Sequence, residues 1–369
     1  MQMIKPLGGG FINGGGSQYG GGFGGGFGGG FGGGFGGANA YAGLIKSRDA
    51  VANPSDIRTY VDDKYQPDLE ATYQPDFPTG EDIGNRLKHW DEWTVPYAVI
   101  PDLLRMFVVN TGGAPSSVTL NVGSTPALIL HRPPIKRFLN EIPAVLAAAH
   151  LRPDRFDEIL VQTNDIGAFF AGILPLGPDK TPATMMVLTI ATQLAQYVHF
   201  QFKHAFACAR PVDYSPQVQP LIRTPRHSAY PMGHVVEARV MAQVLKHVVA
   251  ASGALPTGLN AALDRLVKRI GENRIVAGVH FPVDMTAGEW LGHAIGNALV
   301  GAAPAESAPS PQSFQPGDTE DVVIEKSSLQ KNQAVKTDAW AALLEVATKE
   351  WARIATTKSP NVPATEQAQ

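Results

Sequence analysis

Six long runs of apolar residues at helical spacing, nearly end to end between Ile135 and Val300, constrain this chain more than any other feature. Helices are expected from about Ile135 to Ala149, Pro153 to Leu174, Thr184 to Cys208, His234 to Ser252, Leu259 to Val279 and Pro282 to Val300. Such helices must bury their apolar faces against one another, so six in succession imply an all-α fold, a helical bundle with at most a short β-hairpin. That hairpin is expected at Val118 to Val122 and Ala127 to His131, around Gly123, Ser124, Thr125 and Pro126. The most apolar run, Thr184 to Phe202, is interrupted by Gln193, Gln196, His199 and Gln201. A spanning helix needs about 20 mostly apolar residues, so this run is expected to be a buried helix and no membrane span is expected.

The remaining chain is organised around the bundle. Residues 8 to 37 are two-thirds glycine, with Phe23, Phe27, Phe31 and Phe35 at a strict interval of four. Glycine at this density cannot offset its ordering entropy, so 1–40 is expected to be a disordered Gly/Phe tail whose rings are candidate stickers for self-association. Residues 41–82 are polar and proline-marked, with Tyr60, Tyr65 and Tyr73, and are expected to wrap over the domain that begins near Ile83 and covers 83–302. A Pro/Ser/Gln linker follows at 303–330. In 331–369, Trp340, Leu344, Ala347, Trp351 and Ile354 recur at helical spacing. This amphipathic helix is expected to pack on its own domain, with a homo-oligomer contact as the alternative.

Charge and cysteine usage exclude other classes. There are 30 Lys plus Arg against 33 Asp plus Glu and no long basic run, so no nucleic-acid partner is expected. Cys208 is the only cysteine, which excludes an intrachain disulfide and a cysteine zinc cluster. Gly8, Gly9 and Gly10 fall where a signal peptide would need its apolar stretch, and a cytoplasmic location is expected.

Three clusters carry candidate chemistry. Lys203 and Arg210 stand seven apart on one predicted helix ended by Pro211, which would put two cations on one face. A guanidinium fork and a compact ammonium together suit a multiply charged tetrahedral anion. Next, Pro231-Met232-Gly233-His234 tightens the chain before an apolar run, placing His234 at a helix N-terminus, where free N–H groups attract anions and an imidazole can pass protons. Last, Asn273-Arg274 is followed by His280 and Asp284. Arg274 is a third cation, and Asp284 is near enough to hold one ring nitrogen of His280 and leave the other facing the anion. A small-molecule substrate or cofactor of tetrahedral oxyanion type is expected.

These clusters, in this order, resemble the type 2 phosphatidic acid phosphatase and vanadium haloperoxidase superfamily, whose pattern is K-x6-R-P, P-S-G-H and S-R-x5-H-x3-D. Lys203 to Pro211 matches in full; Met232 and Asn273 each stand in place of serine. The resemblance covers roughly residues 130 to 300. It implies that Lys203, Arg210, Arg274 and the Gly233 N–H hold phosphate or vanadate, with His234 as acid/base. His280, backed by Asp284, would be nucleophile to phosphorus or the single vanadium ligand. At Met232 the family's serine donates a hydrogen bond to the oxyanion, and a thioether cannot. His227, seven residues before His234, stands where haloperoxidases carry an aromatic or imidazole side chain, and histidine there resembles bromoperoxidases. The reading favoured on these residues is therefore a vanadate-dependent oxidation of bromide by hydrogen peroxide. A soluble phosphatase working through a phosphohistidine is the first alternative, and an oxyanion-binding scaffold without turnover is the second.

Overall fold

The computed structural model describes residues 94–111, 116–253, 256–301 and 337–356, with Leu87 and Trp90. The expected tail 1–40, wrapping segment 41–82 and linker 303–330 lie outside the described residues. The architecture is mostly helical with one small sheet. Helix α1 (Val95–Leu104) leads into strands β1 (Phe107–Asn110), β2 (Ser117–Val122) and β3 (Thr125–His131), an antiparallel sheet in the order β1-β2-β3. The expected hairpin is present as β2 and β3, and it gains β1 as a third strand. Val118, Leu120 and Val122 alternate inward along β2, as one buried face requires.

Helix α2 (Ile135–Ala148) continues through a short 3-10 turn into α3 (Arg152–Asn164), and α4 (Gly167–Ala171) follows. The single helix expected over Pro153 to Leu174 is thus two. Asp165 is extended between them and its Oδ1 accepts from the Ala168 N–H at 3.1 Å, a local bond that competes with helix continuation. Helices α5 (Pro182–Phe206), α6 (Pro211–Tyr214), α7 (Gly233–Ala251), α8 (Leu259–Val276), α9 (Pro282–Val300) and α10 (Asp338–Thr356) complete the described elements. No helix among the described residues is long and apolar enough to cross a membrane.

Arg210 does not share a helix with Lys203, contrary to the spacing argument. Helix α5 stops at Phe206, Ala207 turns left-handed at φ 47°, and Arg210 is extended ahead of Pro211, which opens α6. A residue before proline is pushed out of the helical region. The segment between is pinned instead: the Cys208 N–H donates to Ser228 Oγ at 2.9 Å and the Ala229 N–H to Cys208 O at 3.0 Å.

Helix α7 is buried nearly all round, packing against α5, α8, α9 and α10. Its approach to α9 depends on Gly288, Gly292 and Gly296, one per turn. A Cβ at these positions would lie 2.7 Å from Met232 O, 2.6 Å from Arg239 Cβ and 2.8 Å from Gln243 Cβ. The contact at Met232 O seats the start of α7 directly on α9. At the far end of the core, α10 buries Trp340, Ala347 and Trp351 against its own domain, as expected. Its Glu350 carboxylate accepts from the Ala183 N–H (2.7 Å), the Thr184 N–H (2.9 Å) and Thr184 Oγ1 (2.8 Å), satisfying the open first turn of α5.

Candidate active site

The end of α5, the start of α7, the end of α8 and the loop into α9 converge on a cavity of about 50 Å³. One enclosed water needs only ~10–15 Å³, so there is room for a small polyatomic anion. Lys203, Arg210, His227, Gly233, His234, Arg274 and His280 all line it. Asp284 lies behind His280, completely buried. Met232 is also completely buried but packs within the apolar core and is not part of the lining. The methionine carries the chain into α7 with its side chain in the apolar core, so it holds no oxyanion oxygen.

The three cations are almost wholly buried and are held by neutral groups. Lys203 Nζ donates to the carbonyls of Ser228 (2.9 Å) and Ala229 (3.1 Å). Arg210 Nη1 donates to Val279 O at 2.7 Å, and its Nε and Nη2 bind the His227 carbonyl. Arg274 Nη2 donates to Ile159 O at 2.9 Å, while its Nε has no partner. Among the described residues none of the three has a carboxylate within ion-pair distance. Buried charges are normally paired, and isolated ones are costly. Burial pulls Arg210 down to about 10 and Arg274 to about 9; burial, and then Arg210, pushes Lys203 well below the usual lysine value.

The two histidines are oriented by their neighbours. His280 Nε2 lies 2.8 Å from Arg210 Nη1, which can only donate, so Nε2 carries the lone pair and Nδ1 the proton. That Nδ1–H faces Asp284 Oδ2 at 2.9 Å, and the same oxygen accepts the Phe281 N–H at 2.9 Å. The loop is held further by Glu141, which accepts the Val283 N–H at 3.0 Å. Burial raises Asp284 to about 7, with the Phe281 N–H and the cations opposing. His234 Nε2 donates to Gln162 O at 3.1 Å, leaving the lone pair of the neutral ring at Nδ1. Burial, then neighbouring cations, holds both His234 and His280 well below the usual histidine value. His227 is pulled down to about 4 by burial and by Lys203 and Arg210; its ring meets Phe200 edge-on at 5.1 Å.

Sequence reasoning missed a second layer of this wall. His199 stands one turn before Lys203 on α5, and Glu237 one turn after Gly233 on α7; both line the cavity and are buried. His199 Nε2 and Glu237 Oε1 are 3.0 Å apart. A Cβ at residue 233 would fall 2.9 Å from the His199 ring, so glycine there makes room for the imidazole as well as exposing the backbone. The signal was the i+4 spacing from residues already singled out. Asn273 is turned away from the cavity: its side-chain amide donates to Glu158 and Gln162, and Gln162 in turn accepts from Arg274. Its polar group thus serves to place Arg274.

Among the described residues no group of three or more His, Cys, Asp or Glu side chains is arranged to hold a metal ion. The donors fit an oxyanion instead. Neither a protein-family model nor a curated protein sequence matches the chain. Among solved structures, the transmembrane PAP2-type phosphatidylglycerolphosphate phosphatase of Bacillus subtilis matches at 17% identity, covering 42% of this chain and 72% of its own, with a TM-score of 0.26. A superposition that slight supports no argument about activity.

Proposed function

We propose that the chain is a phosphatase of the type 2 phosphatidic acid phosphatase kind, binding a phosphomonoester in the cavity and passing its phosphoryl group to His280. The observation that carries this reading is the convergence of Lys203, Arg210 and Arg274, buried and without a carboxylate partner among the described residues, around a histidine whose Nε2 lone pair is held by Arg210. An entering phosphoryl group supplies the missing counter-charge. Its oxygens take N–H donors from the three cations and from the open first turn of α7 at Gly233. Arg210 Nη1 then passes from His280 Nε2 to a phosphoryl oxygen, releasing the lone pair.

His280 Nε2 attacks phosphorus as the ester P–O bond breaks, and Asp284 stabilises the positive ring that forms. His234 gives its proton to the leaving oxygen. Its depressed pKa rises when a dianion enters beside it, so the group becomes protonated as substrate arrives. Water then attacks phosphorus with His234 accepting its proton, the P–N bond breaks, and phosphate leaves with His280 neutral again.

The same donors fit vanadate: the lone pair of His280 Nε2 and the unpartnered Arg274 Nε suit a tetrahedral anion bound through one nitrogen. When bound, vanadate would supply the site at which hydrogen peroxide is activated for halide oxidation. In that second reading Lys203, Arg210 and Arg274 hold its oxygens and His234 moves the proton. His227 and Phe200 in the wall favour it.

Parallel assays on protein treated with vanadate or buffer test both. Hydrolysis of a chromogenic phosphomonoester, inhibited by vanadate and lost in Lys203→Met, is the expected result. Bromide oxidation that appears only with vanadate would replace it with the second reading. Oxyanion binding without either activity would leave a binding protein.

A further inference from the structure

His199 and Glu237 line the cavity but take no part in the phosphoryl transfer described above. A carboxylate in the wall of an anion cage works against the anion, and its burial removes the solvent that would screen the repulsion. Its burial favours the uncharged carboxyl, against the Gln196 bond. Glu237 is 3% exposed; one oxygen faces His199 Nε2 at 3.0 Å and the other accepts from Gln196 Nε2 at 3.2 Å. His199 is equally buried, its Nδ1 has no partner, and its ring lies against Gly233 where the backbone opens to the cavity.

We infer that Glu237, held against His199, must carry a proton for a tetrahedral oxyanion to occupy the cage, and in alkaline solution takes it up from solvent as the anion enters, so that anion affinity is coupled to pH through this residue. The inference rests on the reading of the cavity as an oxyanion cage. The charged and titratable groups around the pair are Lys203 from α5, His227 from the loop before α7, and His234 from α7. Burial, Lys203, His227 and His234 all oppose a charge on His199, so the proton belongs on the carboxyl. Burial raises Glu237 to about 8, against the Gln196 bond and Lys203. Above that pH the free cage carries one more negative charge, and binding must first restore the proton.

Sulfate is the suitable probe, because it keeps its double charge across the range of the experiment. Calorimetric titration should show wild-type affinity for sulfate about tenfold weaker at pH 9 than at pH 6.5, since only about a tenth of a group titrating near 8 remains protonated there. Glu237→Gln, with a neutral side chain of the same shape, should show a shallower slope, keeping only the part that Lys203 and Arg274 contribute as they lose charge. Equal slopes in the two proteins would overturn the inference. Infrared difference spectra at pH 9 read the wild type directly: sulfate should raise the carbonyl band of a protonated carboxyl, and its absence is also fatal. Asp284, the other buried carboxyl at the site, is intact in the Glu237→Gln protein, where the band should vanish. Lys203→Met separates the two readings. Sulfate binding that is lost in Lys203→Met but keeps its slope in Glu237→Gln defeats the coupling alone, whereas a wild type that binds neither sulfate, phosphate nor vanadate at any pH removes the cage and the coupling together.

Discussion

Replacing Asp284 with asparagine removes a charge while leaving the hydrogen-bond geometry nearly intact. Both donors, His280 Nδ1–H and the Phe281 N–H, point to the single oxygen Oδ2, and Oδ1 is buried without a partner. An asparagine oxygen in the place of Oδ2 keeps both bonds, and its amide nitrogen then occupies the unpartnered position. The stability cost is that of one buried unsatisfied donor, about 1–3 kcal/mol. The rate cost is electrostatic. A carboxylate and a developing imidazolium about 4 Å apart attract by about 4 kcal/mol at an effective dielectric of 20. At about 1.4 kcal/mol per decade this is a loss of about 10³ in the covalent step. The pH dependence sharpens the test. Asp284 titrates at about 7, so the wild-type step should accelerate as pH rises through that value and the Asp284→Asn step should not. Rapid-quench measurement of the first turnover of a chromogenic phosphomonoester reads both quantities. A folded Asp284→Asn protein within threefold of wild type at pH 8, or one that keeps the inflection, would refute the assigned role.

Three further outcomes follow from the geometry. Glu350→Ala orphans three donors at the start of α5 and should lower stability by about 2–4 kcal/mol, seen as an earlier urea midpoint; a change under about 0.5 kcal/mol would show that water replaces the carboxylate. Met232→Ser empties core volume at a typical cost of about 2–5 kcal/mol, offset by about 1 kcal/mol from a serine cap on α7, and should leave phosphate affinity unchanged; a tenfold gain would place residue 232 at the anion after all. Stability should fall as pH drops from about 6.5, because His199, His227, His234, His247, His280 and His293 are all held below the ordinary value and the unfolded chain takes up protons that the folded one refuses. Glu141, Glu237 and Asp284 act in the opposite sense, retaining protons in the fold, but they are fewer. A melting temperature that rises between pH 7 and 5.5 would contradict this balance.

What was legible in the sequence was the part governed by short-range rules. Pro282 after a run of apolar residues marks the start of α9, and Gly233 before Val235 and Val236 marks that of α7, so His280 and His234 were placed at helix ends correctly. Arg210 was misplaced because Ala207, an ordinary helix former, takes the left-handed conformation that ends α5; tertiary bonds from Ser228 and Ala229 decide that turn. The same cause hid β1, whose four residues become a strand only by pairing with β2. His199 reads in the sequence as a polar interruption of an apolar run, and Glu237 carries no sequence signal of its own. Each carries meaning only through the other, and they stand 38 residues apart on different helices.

Glu350 ties the last described helix to the first turn of α5, the helix whose other end carries His199 and Lys203. During synthesis the chain emerges N-terminus first, so α5 and every cavity-lining residue leave the ribosome before α10 exists to bring Trp351 to Thr184 and Trp340 to the Leu299 carbonyl. Until then the core stays open along the strip that Trp340, Ala347 and Trp351 will fill. The residues of the cage are therefore all made before the core that carries them is covered, and a chain truncated ahead of Asp338 is expected to expose that apolar strip.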